Sequence, residues 1–133
     1  MKTYKLTKQD KELIEIDKEV IRKNRIENKM ISCGTGSALI TNKNKLYKGV
    51  NIESKSSSPT SICGEMGAIA QMLADGGRKI KSIVAVWYDK KKLNMGPPCG
   101  AYRHIISQFG NPYVIISKTK KVKLNELYPF PVR

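Results

Sequence analysis

The chain has 133 residues, 40% of them hydrophobic and 27% charged, which suits one soluble globular domain, residues 1–133, and leaves no room for a second. Its apolar runs are far too short to span a bilayer, which excludes a membrane-embedded class. The net charge of +14 would draw phosphates, yet most of the excess is scattered lysine, with short runs at Lys90-Lys91-Lys92 and from Lys118 to Lys123. Without an interleaved aromatic ladder, this argues for a solvated basic surface and against nucleic acid as a partner.

The N-terminus, Met1-Lys2-Thr3-Tyr4, soon becomes charged and lacks the apolar stretch of a secretory signal, so a cytoplasmic location is expected. Three cysteines, Cys33, Cys63 and Cys99, are an odd number in such a chain, and thiols kept for chemistry or packing fit better than a disulfide framework. Thr7 with Asp10 makes a capping-box-like start, and Leu13, Ile16, Val20 and Ile21 recur at helical spacing behind it. Gly36 to Ile40 and Leu46 to Val50, joined by the turn Thr41-Asn42-Lys43-Asn44-Lys45, read as a hairpin. Ser54 to Thr60 is a polar loop. A helix from Cys63 to about Ala74 follows and stops at Asp75-Gly76-Gly77.

Ile80 to Tyr88 is rich in β-branched and aromatic residues and predicts a buried strand, followed by a basic turn from Asp89 to Gly96. Pro97-Pro98 interrupts regular structure before a second helix from Cys99 to about Phe109, closed by Gly110-Asn111-Pro112. Tyr113 to Ser117 is a short apolar strand, and the tail from Val122 to Phe130 is apolar enough to dock. The order α-β-β-α-β-α-β, with strands joined through helices, predicts a mixed sheet covered by helices.

Two cysteine-centred segments, Cys63-Gly64-Glu65 and Pro97-Pro98-Cys99-Gly100-Ala101-Tyr102, each open a predicted helix. A helix N-terminus stabilises a thiolate, the form a metal needs. A glutamate two residues beyond the first cysteine can act on a metal-activated water without being a ligand, the pattern of zinc deaminases. On these residues the chain resembles the cytidine deaminase family, in the branch that includes blasticidin S deaminase. Gly36-Ser37-Ala38-Leu39 is similar to the family's Gly-Ala-Ala-Leu strand, and Gly49-Val50-Asn51-Ile52-Glu53 to its Gly-x-Asn-x-Glu segment. Cys63-Gly64-Glu65 is similar to Cys-Ala-Glu, Pro98-Cys99-Gly100-Ala101-Tyr102-Arg103 to Pro-Cys-Gly-x-Cys-Arg, and Leu124 to Pro129 to the closing Leu-x-Glu-Leu-Leu-Pro.

The resemblance implies a three-layer α/β/α sandwich on a mixed five-stranded sheet, assembled as a homo-oligomer, a tetramer or dimer. It implies zinc-dependent hydrolytic deamination of a cytidine-like nucleoside, with Cys63 and Cys99 as zinc thiolates, Glu65 as proton shuttle, and Asn51, Glu53 and Gly64 binding substrate. Asn51 and Glu53, two apart on an extended segment, are expected on one face, within reach of ribose hydroxyls. Tyr102 stands where the family carries its third zinc cysteine, and a phenol, with a pKa about 10, is a poor metal ligand near neutrality. Met66 stands where relatives carry a basic residue; two thiolates already neutralise a divalent zinc, so both departures agree electrostatically. The alternative is a catalytically silent, metal-free nucleoside-binding protein. His104 lies about 200° round the helix from Tyr102 and is expected to face away from the site. Cys33, where relatives carry a phenylalanine beside the base, is expected to act as a small hydrophobe.

Overall fold

A computed structural model describes residues 1–89 and 91–132. After a two-residue strand β1 (Tyr4–Lys5), helix α1 (Lys8–Asn24) starts on the expected capping box: the Asp10 N–H donates to the Thr7 hydroxyl at 3.2 Å, and the Thr7 N–H donates to the Asp10 carboxylate at 2.8 Å. Then come β2 (Ile26–Glu27), β3 (Ile31–Cys33), the hairpin β4 (Thr35–Thr41) and β5 (Leu46–Val50), and β6 (Glu53–Ser54). Helix α2 (Gly64–Ala74) leads to the long strand β7 (Ile80–Asp89) and its hairpin partner β8 (Lys92–Met95). Helix α3 (Gly100–Ser107), β9 (Tyr113–Ile115), β10 (Lys120–Lys123) and the short α4 (Leu124–Leu127) complete the chain.

The main sheet runs β1-β10-β9-β7-β4-β5, with β8 added on β7; the β7–β9 pair is parallel and the other pairs antiparallel, so the sheet is mixed as expected. It has seven strands where five were expected. The additional elements are short or polar: β1 has two residues, and β8 lies in the lysine-rich stretch read as a turn from Asp89 to Gly96. Within the run Lys90-Lys91-Lys92, Lys90 lies outside the described residues. A separate small sheet, β2-β3-β6, is antiparallel throughout.

Alternation along the strands builds the layers. Leu39 and Ile83 face α2 and α3 in a core with Ile69, Met72 and Ile106, whereas Ala38, Ile40 and Val84 face Leu13 and Ile14 of α1. Helix α2 ends where Asp75-Gly76-Gly77 predicted, with Gly76 at φ +88° and the Gly77 N–H donating to the Met72 carbonyl at 2.9 Å. The tail docks through fully buried Leu124, but Phe130 is 97% exposed, so the expected docking of residues 122–130 stops short of it.

Candidate active site

Cys63 and Cys99 occupy the N-cap positions of α2 and α3, one residue outside the helices they were expected to open, in extended conformation at φ −91° and −67°. Both helices therefore aim free N–H groups at one place. What brings α2 there is the absence of side chains. A β-carbon on Gly49 of β5 would lie 2.2 Å from the Ala68 nitrogen and 2.4 Å from the Gly64 oxygen. On Gly64, one would lie 3.1 Å from the Ser37 nitrogen. Glycine at these positions lets the start of α2 lie against the β4–β5 backbone, carrying Cys63 and Glu65 with it. Gly64, expected to bind substrate, is thus seen packing on β4.

The loop bearing Cys99 is held from the other side. Arg103 donates from Nε to the Pro98 carbonyl at 2.8 Å and from Nη1 to the Leu127 carbonyl at 2.9 Å, tying the loop to α4. Nothing in the sequence beyond its place after the Pro-Cys segment marked Arg103 for this work.

Glu65 is 6% exposed and borders a cavity of about 10 Å³ lined by Ile83, Ala85, Gly96, Pro98 and Ile106, room for about one water molecule. Burial among these apolar groups pushes its carboxyl up, offset in part by its own backbone N–H. Burial also pushes the Cys63 thiol up, and the charges of Glu65, Cys99 and Glu53 add to it. A bond from Tyr102 to the sulfur pulls the other way and is outweighed. Those same charges place Cys99, Glu65 and Glu53 around Cys63.

Tyr102 joins this group. Its hydroxyl accepts the Cys63 backbone N–H at 3.1 Å and bonds the Cys63 sulfur, and burial pushes its pKa to about 12. It stays a neutral phenol. Among the described residues no group of three or more His, Cys, Asp or Glu side chains is arranged to hold a metal. The donors fit zinc as two soft thiolates whose charge matches the ion's, with a neutral phenol oxygen beside them; they are not the three ligands of an ordinary catalytic zinc.

Asn51 follows the end of β5, and Glu53 opens β6. The Asn51 carbonyl oxygen accepts from the Gly34 and Thr35 N–H groups, both at 2.9 Å, which leaves its amide nitrogen to offer a ligand. Glu53 lies on β6 in the small sheet, exposed. His104 does face away, with Nδ1 3.2 Å from the Tyr128 hydroxyl. Cys33 is buried with Ile21 and Val86, a packing role. The residue missed from sequence is Asp17, fully buried on the sheet side of α1. Its spacing of four from both Leu13 and Ile21 put an acid on the apolar stripe, and that was the available signal.

The family model described as "Cytidine and deoxycytidylate deaminase zinc-binding region" matches residues 7–118. A blasticidin-S deaminase from Bacillus cereus is 30% identical over 138 residues, covering 97% of this chain and 96% of that protein. The crystal structure of a cytidine deaminase from Burkholderia pseudomallei superposes with a TM-score of 0.76 at 25% identity, covering 96% of this chain and all of that one. A cytidine deaminase from Mycobacterium leprae superposes at 0.74 with 20% identity, covering 93% and 99%, a likeness of fold.

Proposed function

This chain belongs to the cytidine and deoxycytidylate deaminase family, and on that premise we propose that it is a hydrolase removing the amino group of a cytidine-like nucleoside with zinc held by Cys63 and Cys99. The observation that carries the reading is Glu65, a buried carboxyl of raised proton affinity beside Cys63 on an apolar cavity. When bound, zinc supplies Lewis-acid activation of water, bringing its pKa towards ~7. Glu65 takes up the proton released and delivers protons to ring N3 and to the leaving amine, a cycle that its raised proton affinity suits. Replacement of the amine at C4 by oxygen yields the uridine-like product and ammonia. The apolar walls at Ile83 and Ile106 keep bulk water from that proton.

The Asn51 amide nitrogen would donate to a sugar hydroxyl, and the Glu53 carboxylate would accept from one. Gly64 leaves no side chain between β4 and the thiol end of α2. Cytidine, deoxycytidine and a cytosine nucleoside antibiotic all offer the required amine, and the reading places the chain in pyrimidine salvage in the cytoplasm. Exposed Ile26, Met30, Ile52 and Ile62 give a homo-oligomer, tetramer or dimer, apolar surface to bury.

Tyr102 favours a second reading, a metal-free nucleoside-binding protein, because a neutral phenol replaces an anionic ligand. Elemental mass spectrometry separates the two. Near one zinc per chain, lost in Cys63→Ser and Cys99→Ser, with ammonia released from cytidine, deoxycytidine or blasticidin S, is expected. No zinc after refolding with excess metal, together with nucleoside binding by calorimetry, would establish the second reading instead.

A further inference from the structure

The chemistry above uses Glu65 and leaves a second buried carboxyl without a task. Asp17 of α1 has no solvent exposure, and its two oxygens are the only buried side-chain polar atoms among the described residues that lack a hydrogen-bond partner. An acid so placed is ordinarily paired or replaced by a hydrocarbon. Its Oδ1 lies 2.6 Å from where a β-carbon on Gly36 would stand, so the carboxyl fills the space that glycine leaves on the α1 face of β4. On the opposite face, a β-carbon on Gly64 would lie 3.2 Å from the Gly36 carbonyl carbon. The backbone at Gly36 is therefore gripped between Asp17 and the Cys63-Gly64-Glu65 segment.

That grip suits an uncharged acid. Burial, then the charge of Glu65 across the strand, pushes the Asp17 carboxyl up to about 9; the nearby Val86 N–H pulls the other way without making a well-formed hydrogen bond. The other titratable groups on this side are Tyr88 of β7 with Arg25 stacked on its ring, Cys33 of β3, Lys48 of β5 and the buried Lys121–Asp10 pair between β10 and α1; β4 presents none, and none of these bonds Asp17. Ionised, the carboxyl would have no cation bonded to it and would move towards water, taking α1 away from β4.

We propose that Asp17 is a positioning residue of the site: as a neutral acid it seats β4 beneath the N-terminus of α2, and its ionisation unseats them. The kinetic consequence rests on the deaminase reading; the structural one does not. Trp87, the only tryptophan, reports on both places, since it pairs with Thr35 of β4 and its ring comes within 3.0 Å of where a Gly96 β-carbon would stand at the cavity beside Glu65.

Wild type and Asp17→Asn would be titrated from pH 7 to pH 10 by Trp87 fluorescence, far-ultraviolet circular dichroism and ammonia release. In wild type a fluorescence change with midpoint near 9 should precede any loss of dichroism, and the rate at pH 10 should fall about tenfold below that at pH 8. The variant should show neither. Identical profiles in the two proteins overturn the proposal. If the variant does not fold, carbon-13 labelling of the aspartate carboxyls in wild type decides: Asp17 ionised at pH 7 overturns the proposal, and Asp17 titrating together with Trp87 supports it. Activity absent from both proteins removes the deaminase reading and leaves the fluorescence test intact.

Discussion

Adding one methyl group at Gly49 should dismantle the site while leaving its chemistry-bearing residues in the sequence. A β-carbon there would sit 2.2 Å from the Ala68 nitrogen, 2.4 Å from the Gly64 oxygen and 2.7 Å from the Gly67 carbon, all backbone atoms of α2 or its first turn. Non-bonded atoms settle at about 3.5 Å or more, so α2 must retreat from β5 by roughly 1 Å. Overpacking of this kind costs about 1–3 kcal/mol, and with no flexible side chain to give way the upper figure applies. For a domain of this size 1 kcal/mol moves the melting temperature by roughly 3–5 °C, so Gly49→Ala should melt about 10 °C or more below wild type. Because Gly64 is among the atoms displaced, Cys63 and Glu65 move as well, and a shift near 1 Å costs about 10²-fold in rate. Gly100→Ala is the control: its β-carbon meets nothing within 4 Å, and alanine favours the helix by up to about 1 kcal/mol. Calorimetric melting and ammonia release measure both effects. A Gly49→Ala protein melting within 2 °C or so of Gly100→Ala would refute the close packing of α2 on β5.

Other consequences are as open to measurement. Glu65→Gln keeps the side chain's shape and removes its proton cycle, so ammonia release should fall by at least ~10²-fold with melting little changed, and an unaltered rate would remove Glu65 from the mechanism. Tyr102→Cys supplies a third thiol and should raise zinc retention against a chelator; equal retention in both proteins would show that the position does not face the metal. Lys121 and Asp10 are a buried ion pair at 2.6 Å, so Lys121→Met, which strands the carboxylate, should lose about 3–5 kcal/mol in denaturant unfolding. The Asp17 carboxyl, raised from 3.8 to about 9, keeps its proton in the folded chain where the unfolded chain has lost it. Its contribution is therefore complete below pH 3.8 and is lost as pH rises towards 9, at no more than ~1.4 kcal/mol per pH unit. Asp17→Asn should accordingly gain stability over wild type from pH 5 to pH 8, and a constant difference would refute the shift.

Local chemistry was legible in the sequence because it depends on neighbours along the chain. Thr7 and Asp10 fixed the start of α1, Gly76 the end of α2, and the ordered cysteine and glutamate segments identified the family before any contact was known. Short elements were not legible: β1 becomes a strand by pairing with β10, β10 by pairing with β1 and β9, and β8 by pairing with β7, despite weak sequence signals of their own. The electrostatics of the site were also beyond reach. Tyr102 could be read as a missing ligand, but its bond to Cys63 and its retained proton follow from burial across 39 residues of separation. That the Asn51 carbonyl holds the Gly34 and Thr35 N–H groups was likewise not legible, because those partners lie 17 and 16 residues away along the chain. Sequence by itself determined which residues could carry the chemistry and on which helix ends they stand. Tertiary structure alone decided their spacing and the direction in which burial moves Cys63 and Glu65, because desolvation and like-charge coupling act through space, as between Asp17 and Glu65 on opposite faces of one strand.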